Sequence, residues 1–220
     1  MNNDKKTLQL FGIINPKLIE YISKLVQYHY SLNDKGHDIS HAEYVITRSL
    51  EFSKGIKDIN YEMVYVIAAY HDFAHHIDPK NHESVSAKML LEDKTLKDFF
   101  TDEQIKVMSE AVEDHRSSLD GEPRTIYGKI VSSADRNTSV ETTLKRCYSY
   151  NTKHSPDLKE NEVLEKCRVF LLEKFGVNGY AREKMYFDDK DYQKYLDDIT
   201  ALSLDNEKFY KEIKRINGIT

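Results

Sequence analysis

MVYVIAAYHDFAHHID, residues 63–78, runs through eight apolar positions and then sets three histidines and two aspartates within the next eight. Eight apolar residues fall far short of the roughly 20 that a bilayer-spanning helix needs, so the run reads as a segment buried in a protein core. The polar cluster at its end is the anomaly. The chain has nine histidines in 220 residues, and His71, His75 and His76 fall within six positions. Titratable groups concentrated at the end of a buried segment call for a chemical explanation.

The remaining composition narrows the classes available. Apolar residues make up 40% and charged residues 31%, and mean hydropathy is −0.65, ordinary for a soluble globular chain of one or two domains. The N-terminal MNNDKKTLQLFGIIN has neither the apolar core nor the cleavage site of a signal peptide, so a cytoplasmic protein is expected. Cys147 and Cys167 lack the spacing of a zinc ribbon or a disulfide framework and read as reduced core thiols. The net charge of −5 comes from interspersed acids and bases. No basic face is evident, so neither a nucleic-acid polymer nor a membrane is expected as a partner, whereas a small anionic substrate remains open.

Eight glycines and four prolines punctuate the chain, and no alternating runs joined by Asn-Gly or Asp-Gly turns appear. The expected fold is all-α. Apolar spacing at the helical period predicts helices at 16–31, 41–54, 61–74, 82–92, 101–116, 124–150, 159–175, 179–186, 190–203 and 206–217. Asn15-Pro16 and the capping box Thr101–Gln104 mark two of the starts. The break NTKHSPD at 151–157 predicts a boundary between a core, 16–150, and a helical appendage, 151–220, packing on the core or covering its site. The appendage's Tyr180, Tyr186, Tyr192 and Tyr195 are expected to pack between helices.

In a helical bundle, metal sites are built from imidazoles and carboxylates projecting inward off facing helices. His41 opens a helix whose Val45 and Leu50 face the core. His71 and Asp72 end the apolar helix, their side chains about 100° apart around its axis, and so straddle a point beyond its end. Ile126, Ile130 and Ala134 form a buried stripe that carries Asp135 inward, and a buried acid needs a partner. Two imidazoles and two carboxylates suit Mn²⁺, Fe²⁺ or Mg²⁺ and accept Zn²⁺ or Ni²⁺. His29, His37, His76 and His154 are expected to face solvent.

With these residues in view, His41, His71-Asp72 and Asp135 resemble the H…HD…D signature of the HD-domain metal-dependent phosphohydrolases. The context carries the resemblance: DISHAEYV, AAYHDFAHH, NHESVSAKML, VEDHRSS and KIVSSADR occur in family order. It implies an HD-domain helical bundle with a C-terminal helical extension, with His41, His71, Asp72 and Asp135 as primary ligands of a divalent metal ion. His75 and His76 stand where nucleotide-cleaving members carry Glu-Asp. His115 is followed by Arg116 where paired-metal members carry a second histidine, so one tightly held ion is expected. The likeness is greatest to a small bacterial group with DHRSSL…PR…YGKIVSSADR, whose name implies phosphohydrolase chemistry without fixing a substrate.

A phosphoester or phosphoanhydride of a small metabolite, a nucleotide among the candidates, is the substrate class this implies. A non-catalytic metal or nucleotide sensor of the same fold is the alternative. Asp72 is expected to act on the reaction with the metal, and His75, one helical turn further on, to donate the leaving group's proton. His82, His115, Arg116, Arg124 and Arg136 are the expected substrate contacts, the arginines meeting charge on phosphate oxygens.

Overall fold

The computed structural model describes residues 12–34 and 36–219, and every regular element among them is helical. The chain divides into two compact units, residues 1–135 and 136–220. In the first, α1 (Pro16–Tyr30), α2 (Ile39–Phe52), α3 (Tyr61–Tyr70), α4 (His82–Glu92), a 3₁₀ turn (Lys94–Asp98), α5 (Asp102–Glu113) and α6 (Ile126–Ala134) follow in order. The second contains α7 (Val140–His154), α8 (Glu160–Phe175), the single turn α9 (Tyr180–Glu183), α10 (Lys190–Leu204) and α11 (Asn206–Asn217).

Helix α3 is the axis of the first unit. Every residue from Met63 to Tyr70 is buried, and α1, α2, α4, α5 and α6 all pack on it. A helix apolar on all sides is stable only when surrounded. Asn60 starts it by accepting hydrogen bonds from the backbone N–H groups of Glu62 and Met63. Helical bonding stops at Tyr70, earlier than the apolar spacing suggests. Residues 71–77 continue as tight turns, Phe73 N–H to Tyr70 O at 3.1 Å, His75 N–H to Asp72 O at 3.1 Å and Ile77 N–H to Ala74 O at 2.9 Å. These three-residue turns let His71, Asp72 and His75 face one region instead of spiralling away.

The long helix expected at 124–150 is two. Asp135 ends α6, and α7 begins after Ser139, whose hydroxyl accepts from Thr142 N–H while Asn137 accepts from Ser139 N–H. Short polar side chains offer the backbone an alternative to helix, and here they take it. The unit boundary consequently lies at Asp135 instead of in the 151–157 break, and α7 packs on α8 and α11 of the second unit. That unit has its own core, including Leu144, Leu164, Leu171, Leu196, Phe209 and Ile213. Tyr192 and Tyr195 are buried in it as expected, while Tyr180 is partly exposed. Cys147 and Cys167 are free thiols there. Among the described residues, no helix is long and apolar enough to cross a membrane.

Gly128 lets α6 approach α5. A Cβ there would lie 2.8 Å from Pro123 Cβ and 3.5 Å from Asp114 Cβ. Gly128→Ala should therefore lower the melting temperature, the overpacking cost of about 1–3 kcal/mol exceeding the roughly 1 kcal/mol gained in helix propensity. A raised melting temperature would show that α6 has room to spare.

Candidate metal centre

Five side chains from five segments of the first unit gather around one carboxylate, that of Asp72. Asp72, 2% exposed, sits where α3 gives way to the turn. Its Oδ2 lies 3.3 Å from His71 Nε2 and 3.5 Å from His41 Nε2. Its Oδ1 faces the other way, 3.1 Å from His82 Nε2 and 3.6 Å from His115 Nε2. His41 and His71 approach to 3.2 Å and His82 and His115 to 3.3 Å through their Nε2 atoms. Asp135 Oδ1 completes the first set at 3.1 Å from His41 Nε2 and 3.8 Å from His71 Nε2. Two groups of donor atoms, His41/His71/Asp72/Asp135 and Asp72/His82/His115, thus share Asp72.

The outer bonds fix which nitrogen faces inward. His71 Nδ1 lies 2.8 Å from Ala68 O, His115 Nδ1 2.7 Å from Val112 O and His82 Nδ1 3.1 Å from Pro79 O. Each carbonyl is placed to accept an Nδ1 proton and so turns Nε2 inward, the way metal-bound histidine is commonly held by an outer acceptor. Tyr30 and Asn33 support the turn from α1 and the segment after it. Tyr30 Oη lies 3.1 Å from both His71 Nδ1 and Ala69 O. Asn33 donates to Asp72 O at 3.0 Å and accepts from His76 N–H at 2.9 Å. Neither carries a motif in the sequence, and only the fold brings them here.

Electrostatics sharpen the case for a cation. Burial opposes a charge on His41, but hydrogen bonds to Asp135 and Asp72 outweigh it and raise its pKa to about 9. Burial likewise works against the Asp135 carboxylate, and the bond from His41 brings it down to about 2. Asp72 is held well below the usual carboxylate range: burial opposes its charge, and neighbouring His71 leads the groups that overcome it. Yet Asp72 Oδ1 is buried with no hydrogen-bond donor. The groups nearest this oxygen are the His82 and His115 imidazoles. Burial opposes a proton on His115 and the Asp72 carboxylate favours one, with the net effect a raised pKa, and a divalent cation between them would supply the positive charge in that proton's place. The residues fit one or more divalent ions.

The remaining sequence candidates separate. His75 stays near the cluster, its ring centroid 5.2 Å from that of His82. Burial and then His37 depress its pKa to about 4. At neutral pH it offers a lone pair, the reverse of the proton-donor role expected for it. Arg116 bonds through Nη1 to both Glu83 oxygens at 3.2 Å, and Glu83 lies 3.7 Å from His82 Nδ1. Arg124 is committed to Asp114 and Glu113. Arg136 belongs to the second unit, where it bonds to the carbonyls of Ala181 and Lys184 and lies over Tyr192 at 4.9 Å. Of the histidines expected in solvent only His154 is exposed. His29 stacks on Phe73, His76 bonds to Asn33 and His37 stacks on His75.

This is a helical domain built around an inward histidine–aspartate cluster. Residues 38–138 match the HD domain family, a span that runs from the N-cap of α2 to just past Asp135. A crystal structure described as a predicted HD superfamily hydrolase, from an uncultured Thermotogales bacterium, is similar in fold. The match covers 75% of this chain and 92% of that one, at 21% identity and a TM-score of 0.51. No curated protein matches the chain.

A cation taking the His41 lone pair must displace the proton held there up to about pH 9. Affinity for a divalent ion should rise about tenfold between pH 7 and pH 8, with proton release visible by calorimetry in buffers of different ionisation enthalpy. Affinity independent of pH over that interval would remove His41 from the ligand set.

Proposed function

We propose that the protein is a metal-dependent phosphohydrolase acting on a small phosphorylated metabolite, with nucleotides among the candidate substrates. The observation that carries this reading is the undonated, buried Asp72 Oδ1 between His82 and His115, opposite an Oδ2 facing His41 and His71. A carboxylate bridging two ions is the usual core of a two-metal phosphoester site. His41, His71, Asp72 and Asp135 would hold one ion, and Asp72, His82 and His115 a second. This assigns His82 and His115 as ligands in place of substrate contacts. The fold shared with a structure described as a predicted hydrolase is consistent with the reading.

When bound, divalent ions lower the pKa of a coordinated water from 15.7 toward about 7 and polarise a phosphoryl oxygen. The protein's own groups do the rest. The His71, His82 and His115 rings are held by backbone carbonyls with Nε2 turned inward, so they need no reorientation. Arg116, anchored on Glu83 through Nη1, has Nε and Nη2 left to meet a phosphate oxygen beside His82. Its half-exposed guanidinium is the phosphate contact we favour. His75, neutral and next to His82, can accept a proton from an approaching nucleophile.

A panel of phosphomonoesters, phosphodiesters and nucleotides should reveal phosphate or nucleotide release that a chelator abolishes and that Asp72→Ala removes while helical circular dichroism persists. Metal-loaded protein inert across the panel would favour a sensor. Arg116→Ala should retain its metal but lose about 10²-fold in kcat/KM. Unchanged kinetics would place phosphate recognition elsewhere.

A further inference from the structure

A third group of donor atoms lies on the solvent side of His75. Asp34, His37 and His75 each bring one ligand atom to within 4.8 Å of the others. Asp34 divides its carboxylate between the two rings, Oδ1 at 3.0 Å from His37 Nδ1 and Oδ2 at 3.8 Å from His75 Nδ1. Donors each about 2.0–2.1 Å from a shared ion sit roughly 3–3.4 Å apart, so small movements bring this set into range. The imidazole rings stack at 3.6 Å and 21°, which brings both nitrogen edges to the same carboxylate.

Hydrogen bonding accounts for only part of the group. Asp34 Oδ1 accepts from Gly36 N–H at 2.7 Å and pairs with His37, which fixes the turn before α2. Oδ2 is too far from His75 for a hydrogen bond, and among the described residues neither His75 ring nitrogen has a hydrogen-bond partner. Asp34 also has no lysine or arginine paired with it among the described residues. Two imidazoles and one carboxylate are a donor set for a borderline transition ion and a poor one for Mg²⁺.

We propose that Asp34, His37 and His75 form a further cation site, separate from the Asp72 cluster and taking an ion such as Ni²⁺ or Zn²⁺. It is the weaker site. Asp34 is 61% exposed, and the stacked rings must tilt before both lone pairs reach one ion. Occupancy would engage His75 and take from it any part in proton transfer. The site does not depend on which reaction the central cluster performs.

The 220-residue chain, dialysed so that it keeps only what the central cluster retains, should be titrated with NiCl₂ by calorimetry. Wild type is expected to take up one further equivalent. His37→Ala and Asp34→Asn should each weaken that event at least tenfold while retained metal content and circular dichroism stay at wild-type values. The proposal is overturned if wild type takes up no further nickel or both variants titrate like wild type. Loss of the retained metal from these variants would overturn it too, since they would then serve the central cluster.

Discussion

The buried carboxylate of Asp72, shared between two pairs of imidazoles, is the constraint around which the first unit is arranged. An ionised group with 2% exposure survives only where positive charge meets it on every side. Oδ2 has His41, its pKa raised to about 9, within reach, while Oδ1 lies beside His82 and His115 without a hydrogen bond of good geometry, even though Asp72 raises the pKa of His115 against its burial. That asymmetry is what the proposed metal centre accounts for: added cations would meet the oxygen that no donor reaches.

The helices serve that arrangement. The all-apolar surface of α3 forces it into the centre of the bundle, so the residues at its end arrive where α2, α4, α5 and α6 can each present a side chain. Ending the helix at Tyr70 matters as much, because the tight turns of 71–77 set His71, Asp72 and His75 toward the same region. Asn33 ties that turn to the segment following α1 through Asp72 O and His76 N–H. Gly128 brings α6 close enough to α5 for Asp135 to close the set. Loss of any of these supports would disturb the centre without touching a ligand.

The part of this centre legible in the sequence is the part whose local pattern forces its direction. His71-Asp72 ends an apolar helix and Asp135 ends an apolar stripe, so their inward placement follows from periodicity, and His41 follows from the start of its helix. The pairing of His82 with His115 does not, because 33 positions separate residues that meet only when α4 packs on α5. The expectation of one tightly held ion rested on the absence of adjacent histidines; the fold brings His82 and His115 to 3.3 Å from two separate segments, which is the ground for proposing a second ion. Arg124 and Arg136 show the opposite failure. Proximity to motifs suggested phosphate contacts, but Asp114 engages one and the carbonyls of the second unit the other. Tyr30 and Asn33 act through single hydrogen bonds across the fold, which leave no periodic trace.

The central claim is that Asp72 joins two cation sites, and a count of metal tests it most directly. Protein purified without added chelator, dialysed exhaustively and measured by elemental analysis should retain two equivalents of divalent metal, falling to one in His82→Ala and in His115→Ala with helical content unchanged. One equivalent in the wild type, undiminished in both variants, would contradict the account and return those histidines to the substrate side of the site.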